Sequence, residues 1–417
     1  MSEAKDIAST AEQSSVASPS ASLPFQSSIA PETANPGSSI TSQTGQTNIT
    51  ATIAPAIDPE ESDDGSSARG ESVASSSISV TDSVLQYRIE NGRTYHKYKD
   101  GKYSLPNDER ENERLGKSTM SSFVYSTTRL VAHDGSPTRT DVQHNMFLLS
   151  FDNKLGTAPP NIRGSNVEVK RVLDVGTGTG IWAMEFGDDH PEAEVICPSF
   201  KVLGIDLSAI QPMFTPPNVK FEIDDVDEPW TYSQPFDYIH TRMMTSSIGN
   251  WKEYIQKCFD NLEPNGYLEL NEIDLTPGCD DGTLKDSHAL VKMARLWGDA
   301  AEHFGRPFQN NRDLVDTMAD VGFVDIHAQT FKWPSNPWPR DKKHKELGYW
   351  NYDNSVAGLE AFMMAPFTRV HGWTKEEVTV FAMQVRNEMK DPTIHSYSNI
   401  WSIYGRKPER QDSTSGN

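Results

Sequence analysis

The chain predicts an α/β fold, a mostly parallel sheet with helices on both faces, and three observations carry that expectation. Short aliphatic or β-branched runs alternate with helical segments from residue 169 onward. A glycine-rich turn joins the first of these runs to a helix. The first 80 residues hold a single aromatic, Phe25, so the material for a core lies downstream.

Residues 1–83 read as a disordered, acidic, serine-rich tail. Residues 1–80 carry 20 serines, ten acids and two bases. Such a composition buries too little apolar surface to offset the entropy of ordering. Order is expected from about Val84. Residues 84–168 form a cap region: a lead-in bearing Tyr87, Tyr95, Tyr98 and Tyr103, a helix around Asn107–Leu115, and a cap helix within 141–155. In that last stretch Val142, Met146, Phe147, Leu148 and Phe151 fall at helical spacing.

Strands are expected at Arg171–Val175, Val202–Asp206, Lys220–Ile223, Phe236–His240 and Gly266–Asn271. Helices are expected at 181–187 and 251–262, the latter with Asn250 as N-cap. A helical stretch at 284–304 follows, then a helix at 312–320 stopped by Gly322, a strand-like Phe323–Phe331 and a helical stretch at 342–369. Thr374 and Glu377 make a capping-box signature for a helix to about Met389. Ser396–Tyr404 reads as a last strand, and 409–417 as a disordered end. The basic run Arg340–Lys345 reads as a solvated helix start.

Charge and cysteine usage narrow the function classes. The formal charge is −21, and a tail counted as −8 leaves −13 for the folded part. A field of that sign repels phosphate backbones, which argues against direct nucleic-acid binding and mildly favours a cationic cofactor. Cys197, Cys258 and Cys279 show neither a disulfide framework nor zinc spacing, so they read as reduced thiols and no metal is expected. The N-terminus lacks a basic-then-apolar signal, and no apolar run approaches about 18 residues. A cytoplasmic and/or nuclear chain with no membrane partner is expected.

The sharpest motif is Val172-Leu173-Asp174-Val175-Gly176-Thr177-Gly178-Thr179-Gly180-Ile181. An apolar strand meets three glycines at alternate positions, and a helix opens. Glycine allows a tight turn and close approach of a ligand to the main chain. A helix N-terminus offers N–H groups to a carboxylate or phosphate. A dinucleotide site prefers G-x-G-x-x-G, whereas this is G-x-G-x-G with an acid two residues ahead. In Gly204-Ile205-Asp206-Leu207-Ser208 the acid ends the second strand, where a carboxylate grips a ribose diol or caps a helix. In Phe221-Glu222-Ile223-Asp224-Asp225-Val226 an acid is placed either to accept from an adenine amine or to sit in a solvated loop. His240, near the end of the fourth strand, is a candidate general base, and equally a structural or orienting residue. Glu272, at the end of the fifth, is placed to face an acceptor but reads first as an ordinary rim carboxylate.

Taken as a set, these motifs and Leu262-Glu263-Pro264-Asn265-Gly266 resemble class I S-adenosylmethionine-dependent methyltransferases over roughly residues 169–275. Gly92-Arg93-Thr94-Tyr95-His96, Leu105-Pro106-Asn107-Asp108, Gln143-His144-Asn145-Met146-Phe147 and Tyr404-Gly405-Arg406-Lys407-Pro408 are similar to the fungal LaeA-like methyltransferases of secondary metabolism. The resemblance implies a Rossmann-like seven-stranded sheet within a methyltransferase domain spanning 169–408, with 284–370 as a helical acceptor-side insertion. It implies S-adenosyl-L-methionine as cofactor. Gly176, Gly178 and Gly180 would cradle its methionine part, with Asp174 and Thr177 in the same loop. Asp206, next to Leu207, would hold the ribose, and Asp225 with Val226 the adenine. Tyr95, Tyr98, Trp182 and Phe147 are candidates to face a sulfonium, though each reads first as core or cap packing.

Two segments depart from the family pattern, Gly116–Thr140 and Cys197–Leu203, and read as extra loops or retained-intron segments. Gly180 and Asp206 lie 26 positions apart. Without the second segment the spacing approaches the roughly 20 residues expected between loop and acid. The leading functional expectation is methyl transfer to a small-molecule acceptor. The alternative is a nuclear regulator acting through partners such as velvet-type proteins. A nicotinamide-dependent oxidoreductase is disfavoured by the glycine spacing.

Overall fold

The computed structural model describes residues 87–96, 105–108, 142–190 and 202–409, all within the unit Glu71–Asn417. The expected N-terminal tail, Gly116–Thr140 and most of the expected helix around Asn107–Leu115 lie outside the described residues, as do Tyr98 and Cys197.

Seven strands form one sheet: β3 (Val172–Val175), β4 (Val202–Asp206), β5 (Val219–Ile223), β6 (Phe236–Arg242), β7 (Leu262–Ile273), β8 (Val324–Pro334) and β9 (Tyr397–Arg406). Their spatial order is β5-β4-β3-β6-β7-β9-β8. The pairs β3–β4, β4–β5, β3–β6 and β6–β7 are parallel. The last strand, β9, runs antiparallel between β7 and β8. β3 is flanked by β4 on one side and β6 on the other, so the winding direction reverses at β3. Ligands of open α/β sheets bind at the strand carboxyl ends beside such a reversal.

Both faces of the central strands are buried, and alternate residues go to opposite faces. Val172, Val202 and Tyr238 pack with Trp182, Ala183 and Phe186 of helix α2 (Ile181–Asp189). Leu173, Ile205, Ile239 and Leu268 point the other way. They meet Tyr254, Ile255 and Cys258 of α3 (Trp251–Asp260) and Leu314 and Met318 of α5 (Asp313–Val321). Asn250 caps α3 by accepting the Glu253 N–H at 3.2 Å. Gly322, at φ 115°, ends α5 in the left-handed conformation that glycine adopts most easily.

The cap helix α1 (Val142–Ser150) packs Met146 and Phe147 on Trp333 of β8 and Leu347 of α6 (Lys342–Arg369). Helix α4 (Ala289–His303), α6 and α7 (Lys375–Lys390) share a separate apolar cluster. The stretch 284–370 is therefore not one helical block, because α5 and β8 within it belong to the sheet and its core. The capping box at Thr374 and Glu377 is present, and Asp341 caps α6.

One feature differs from expectation. The lead-in forms a hairpin, β1 (Tyr87–Glu90) and β2 (Arg93–His96), around Asn91 at φ 52° and Gly92 at φ 80°. Two central residues at positive φ suit the right-handed twist of a two-residue hairpin. The hairpin is anchored to the end of α6, with Arg369 Nη2 donating to Glu90 at 2.7 Å. Of the segment Cys197–Leu203, residues 197–201 lie outside the described residues. Val202 and Leu203 pair with Val172 and Leu173 as the first two residues of β4, where a strand is expected.

Candidate active site at the carboxyl ends of the central strands

The glycine loop leaves β3 with Gly176, Gly178 and Gly180 at φ 67°, 56° and 80°, backbone that L side chains rarely adopt. Close contacts add a second reason at two of them. A Cβ on Gly176 would lie 2.3 Å from Met244 Sδ, and one on Gly180 2.4 Å from the Phe221 ring. Around Gly178 the space is open, with nothing within 4 Å of a Cβ. The loop is tied down from below: Thr177 N–H donates to Ile205 O at 3.0 Å, and Thr177 Oγ1 donates to Asp174 Oδ2 at 2.6 Å.

Asp206 stands at the end of β4, half-buried. Its Oδ2 accepts the Gly178 N–H at 2.9 Å and its Oδ1 the Ser208 N–H at 2.9 Å. Leu207 beside it is half-buried. Gln211 Nε2 donates to Gly178 O at 2.7 Å, so the β4–β5 loop also grips the glycine turn. Asp225 is buried and orders its own turn by accepting the Asp227 N–H at 3.1 Å. Val226 O accepts from Trp230 Nε1, and Lys257 Nζ donates to Val226 O and Asp227 O. The sequence-predicted set from Asp174 to Val226 thus gathers on three adjacent strand ends, with Asp206 bonded directly to the glycine loop.

His240 does not open onto this crevice. It is 1% exposed, and its ring lies flat on Trp182, centroids 3.7 Å apart and planes within 5°. Its Nδ1 is 2.8 Å from Asp174 Oδ1. Of the aromatics weighed against a sulfonium, Trp182 packs on His240, Phe147 lies under the Arg242 guanidinium, and Tyr95 lies under that of Arg369, the core and cap packing that each reads as first.

Glu272 is corrected from a rim carboxylate to a fully buried one. It accepts the N–H groups of Met244 and Thr245 at 3.0 and 2.8 Å and the Thr245 hydroxyl at 2.8 Å. Burial pushes its carboxyl up to about 7, against those bonds. It holds the turn after β6, where Met243 and Ser246 sit at φ 59° and 65°, and so seats Met244 against Gly176. Arg306, which precedes α5, belongs to no motif and is placed only by the fold. Its Nη2 donates to Asp227 at 2.6 Å and its Nη1 to Ser247 O.

A glycine cradle at the end of the first parallel strand, an acid at the end of the second, and an antiparallel last strand slipped between β7 and β8 define a class I S-adenosylmethionine-dependent methyltransferase. Residues 142–328 match a family model described as a methyltransferase domain. "Methyltransferase pytC" of Aspergillus terreus is 36% identical over 80% of this chain and 92% of its own length. "Secondary metabolism regulator LAE1" of Cochliobolus heterostrophus is 34% identical, covering 77% and 95%. "Protein-methionine methyltransferase laeA" of Emericella nidulans is 34% identical, covering 78% of each. The chain belongs to the LaeA-like family of fungal secondary-metabolism methyltransferases. No helix of the described residues is long and apolar enough to cross a membrane.

Proposed function

We propose that the chain methylates a small-molecule acceptor of secondary metabolism, binding S-adenosylmethionine across the ends of β3, β4 and β5. The observation that carries this reading is the Asp206–Gly178 bond, which couples a strand-end carboxylate to an open glycine turn. Gly176, Gly178 and Gly180, with Asp174 and Thr177 beneath, would hold the methionine part. The N-terminus of α2 would offer N–H groups to its carboxylate. Asp206 and Leu207 would take the ribose, and Asp225 and Val226 the adenine.

The cofactor, when bound, supplies a methyl group already activated by a positive sulfur. The chain's own residues then mainly align and exclude water. Met244, held by Glu272, walls the crevice at Gly176. A carboxylate acceptor would need no base. For a hydroxyl or amine acceptor, His240 is too deeply buried to reach the reacting proton, and we assign it a positioning role.

The test is a calorimetric titration of the full chain with S-adenosylhomocysteine, beside Gly178→Asp. Micromolar binding lost in the variant is expected, and a chain that binds no ligand would overturn the reading. A second reading, a regulator acting through velvet-type partners, draws on the 34% identity to LAE1. Incubation with methyl-labelled donor and a host extract separates the two. Label in the small-molecule fraction supports the enzyme, and label in protein alone the alternative.

A further inference from the structure

The α2 face of the sheet carries a row of buried polar side chains. Parallel register sets Asp174 of β3 opposite His240 of β6, and His240 opposite Glu269 of β7. Asn271 lies on the same face two residues further along β7. None of the four is more than 3% exposed. Buried polar groups in such a row must satisfy one another.

The bonding fixes the protons. His240 Nε2 lies 3.3 Å from Asn271 Nδ2, which only donates. Nε2 is therefore the acceptor, and the ring proton sits on Nδ1, 2.8 Å from Asp174 Oδ1. The amide is itself oriented, because the same Nδ2 lies 3.4 Å from Glu269 Oε1. Turned over, it would set its oxygen against a carboxylate. Glu269 in turn accepts from Thr157 N at 2.7 Å, Ala158 N at 3.1 Å, Asn161 Nδ2 at 3.0 Å and Tyr238 Oη at 2.7 Å. At the far end, Asp174 Oδ2 accepts the Thr177 hydroxyl of the glycine loop.

We propose that Glu269 and Asn271 are positioning residues for the cofactor loop: they hold His240 as its Nδ1–H tautomer, which orients Asp174 and, through Thr177, the glycine turn. This chain of bonds ends at the glycine loop. Its effect is on how well the loop is preformed for the cofactor. The proposal rests on the cofactor reading of that loop, and its test separates the two.

The full-length chain is labelled with 15N-histidine, and the His240 signals are assigned by their loss in His240→Gln. Two-bond 15N–1H correlations report the tautomer without any ligand. A neutral ring protonated at Nδ1 is expected, and one protonated at Nε2, or at both nitrogens, overturns the proposal. Asn271→Asp sets a second carboxylate against Nε2 and is expected to give a doubly protonated ring. Affinity for S-adenosylhomocysteine should then fall roughly three- to tenfold, the scale of one displaced hydrogen bond. A changed ring with affinity within twofold of the parent overturns the coupling to the loop. Should Asn271→Asp fail to fold, Asn271→Ser, which removes the amide without adding charge, is read by affinity alone: a fall of about threefold or more is expected, and affinity within twofold of the parent overturns the coupling. A parent chain with the Nδ1–H ring that binds no S-adenosylhomocysteine sinks the cofactor reading and leaves the tautomer relay standing.

Discussion

Asp206 Oδ2 and the Gly178 N–H lie 2.9 Å apart, a bond between residues 28 positions distant in sequence that makes acid and glycine turn one unit. Removing the carboxylate releases two backbone donors, Gly178 and Ser208, at once. A hydrogen bond to a charged group contributes about 1.5–3 kcal/mol. Asp206→Ala should therefore weaken S-adenosylhomocysteine binding by about 10- to 100-fold in a calorimetric titration. Asp206→Asn, which keeps one acceptor oxygen, should fall between. Equal affinity in all three chains would remove Asp206 from the site.

Glu272 predicts a pH dependence with a definite sign. Its carboxyl lies near 4.5 when exposed and is raised to about 7 in the folded chain. Between those values the folded chain holds a proton that the unfolded chain has released. The group's contribution to stability is thus full below about 4.5 and is lost as pH rises through about 7. Each tenfold change in proton affinity is worth about 1.4 kcal/mol, so the loss approaches about 3 kcal/mol by pH 8. Urea unfolding of the parent and of Glu272→Gln at pH 5, 6, 7 and 8 isolates it. The parent's stability relative to the variant should decline with pH, and a flat difference would show that Glu272 does not titrate in this window.

The glycine loop predicts two unequal alanine substitutions. Gly178→Ala meets open space and costs only its left-handed backbone, about 1–2 kcal/mol. Gly180→Ala carries the same backbone cost and also drives a Cβ to 2.4 Å from the half-buried Phe221 ring. Overpacking of that kind adds about 1–3 kcal/mol. Thermal unfolding should rank the parent above Gly178→Ala, and Gly178→Ala above Gly180→Ala. The reverse order would mean that Phe221 moves aside freely.

What is legible in the sequence is local. Strand β4 and helix α6 have the bounds that their aliphatic run and helical stretch predict, and the Thr374–Glu377 capping box forms as its spacing requires. The hairpin β1–β2 has one signal, the two-residue turn dipeptide Asn91-Gly92, but four-residue strands show too little alternation to stand out. The buried carboxylates are not legible. Glu269 and Glu272 read like any exposed glutamate, because their burial depends on partners far along the chain. Thr157 lies 112 positions from Glu269, and Thr245 lies 27 from Glu272. His240 stays open between base and structural residue for the same reason, since nothing in its neighbourhood of sequence announces that Trp182 will cover it.

Arg306 joins two loops that sequence alone keeps apart. Its Nη2 donates to Asp227 at 2.6 Å, beside the proposed adenine acid, and its Nη1 to Ser247 O in the turn that Glu272 also holds. The guanidinium side chain is only 11% exposed and its partner 33%, so salt screens the pair incompletely. Arg306→Lys keeps the charge but presents one compact donor group where the fork reached two acceptors. Arg306→Ala also leaves Ser247 O and Asp227 without that donor. Loss of a partly buried, charge-assisted pair predicts about 1–3 kcal/mol of destabilisation for Arg306→Ala and less for Arg306→Lys, measured by urea unfolding at neutral pH. Because both tethered loops border the crevice, S-adenosylhomocysteine affinity should fall in the same order as stability. A variant that loses stability but binds as tightly as the parent would show that Arg306 fastens the fold without shaping the site.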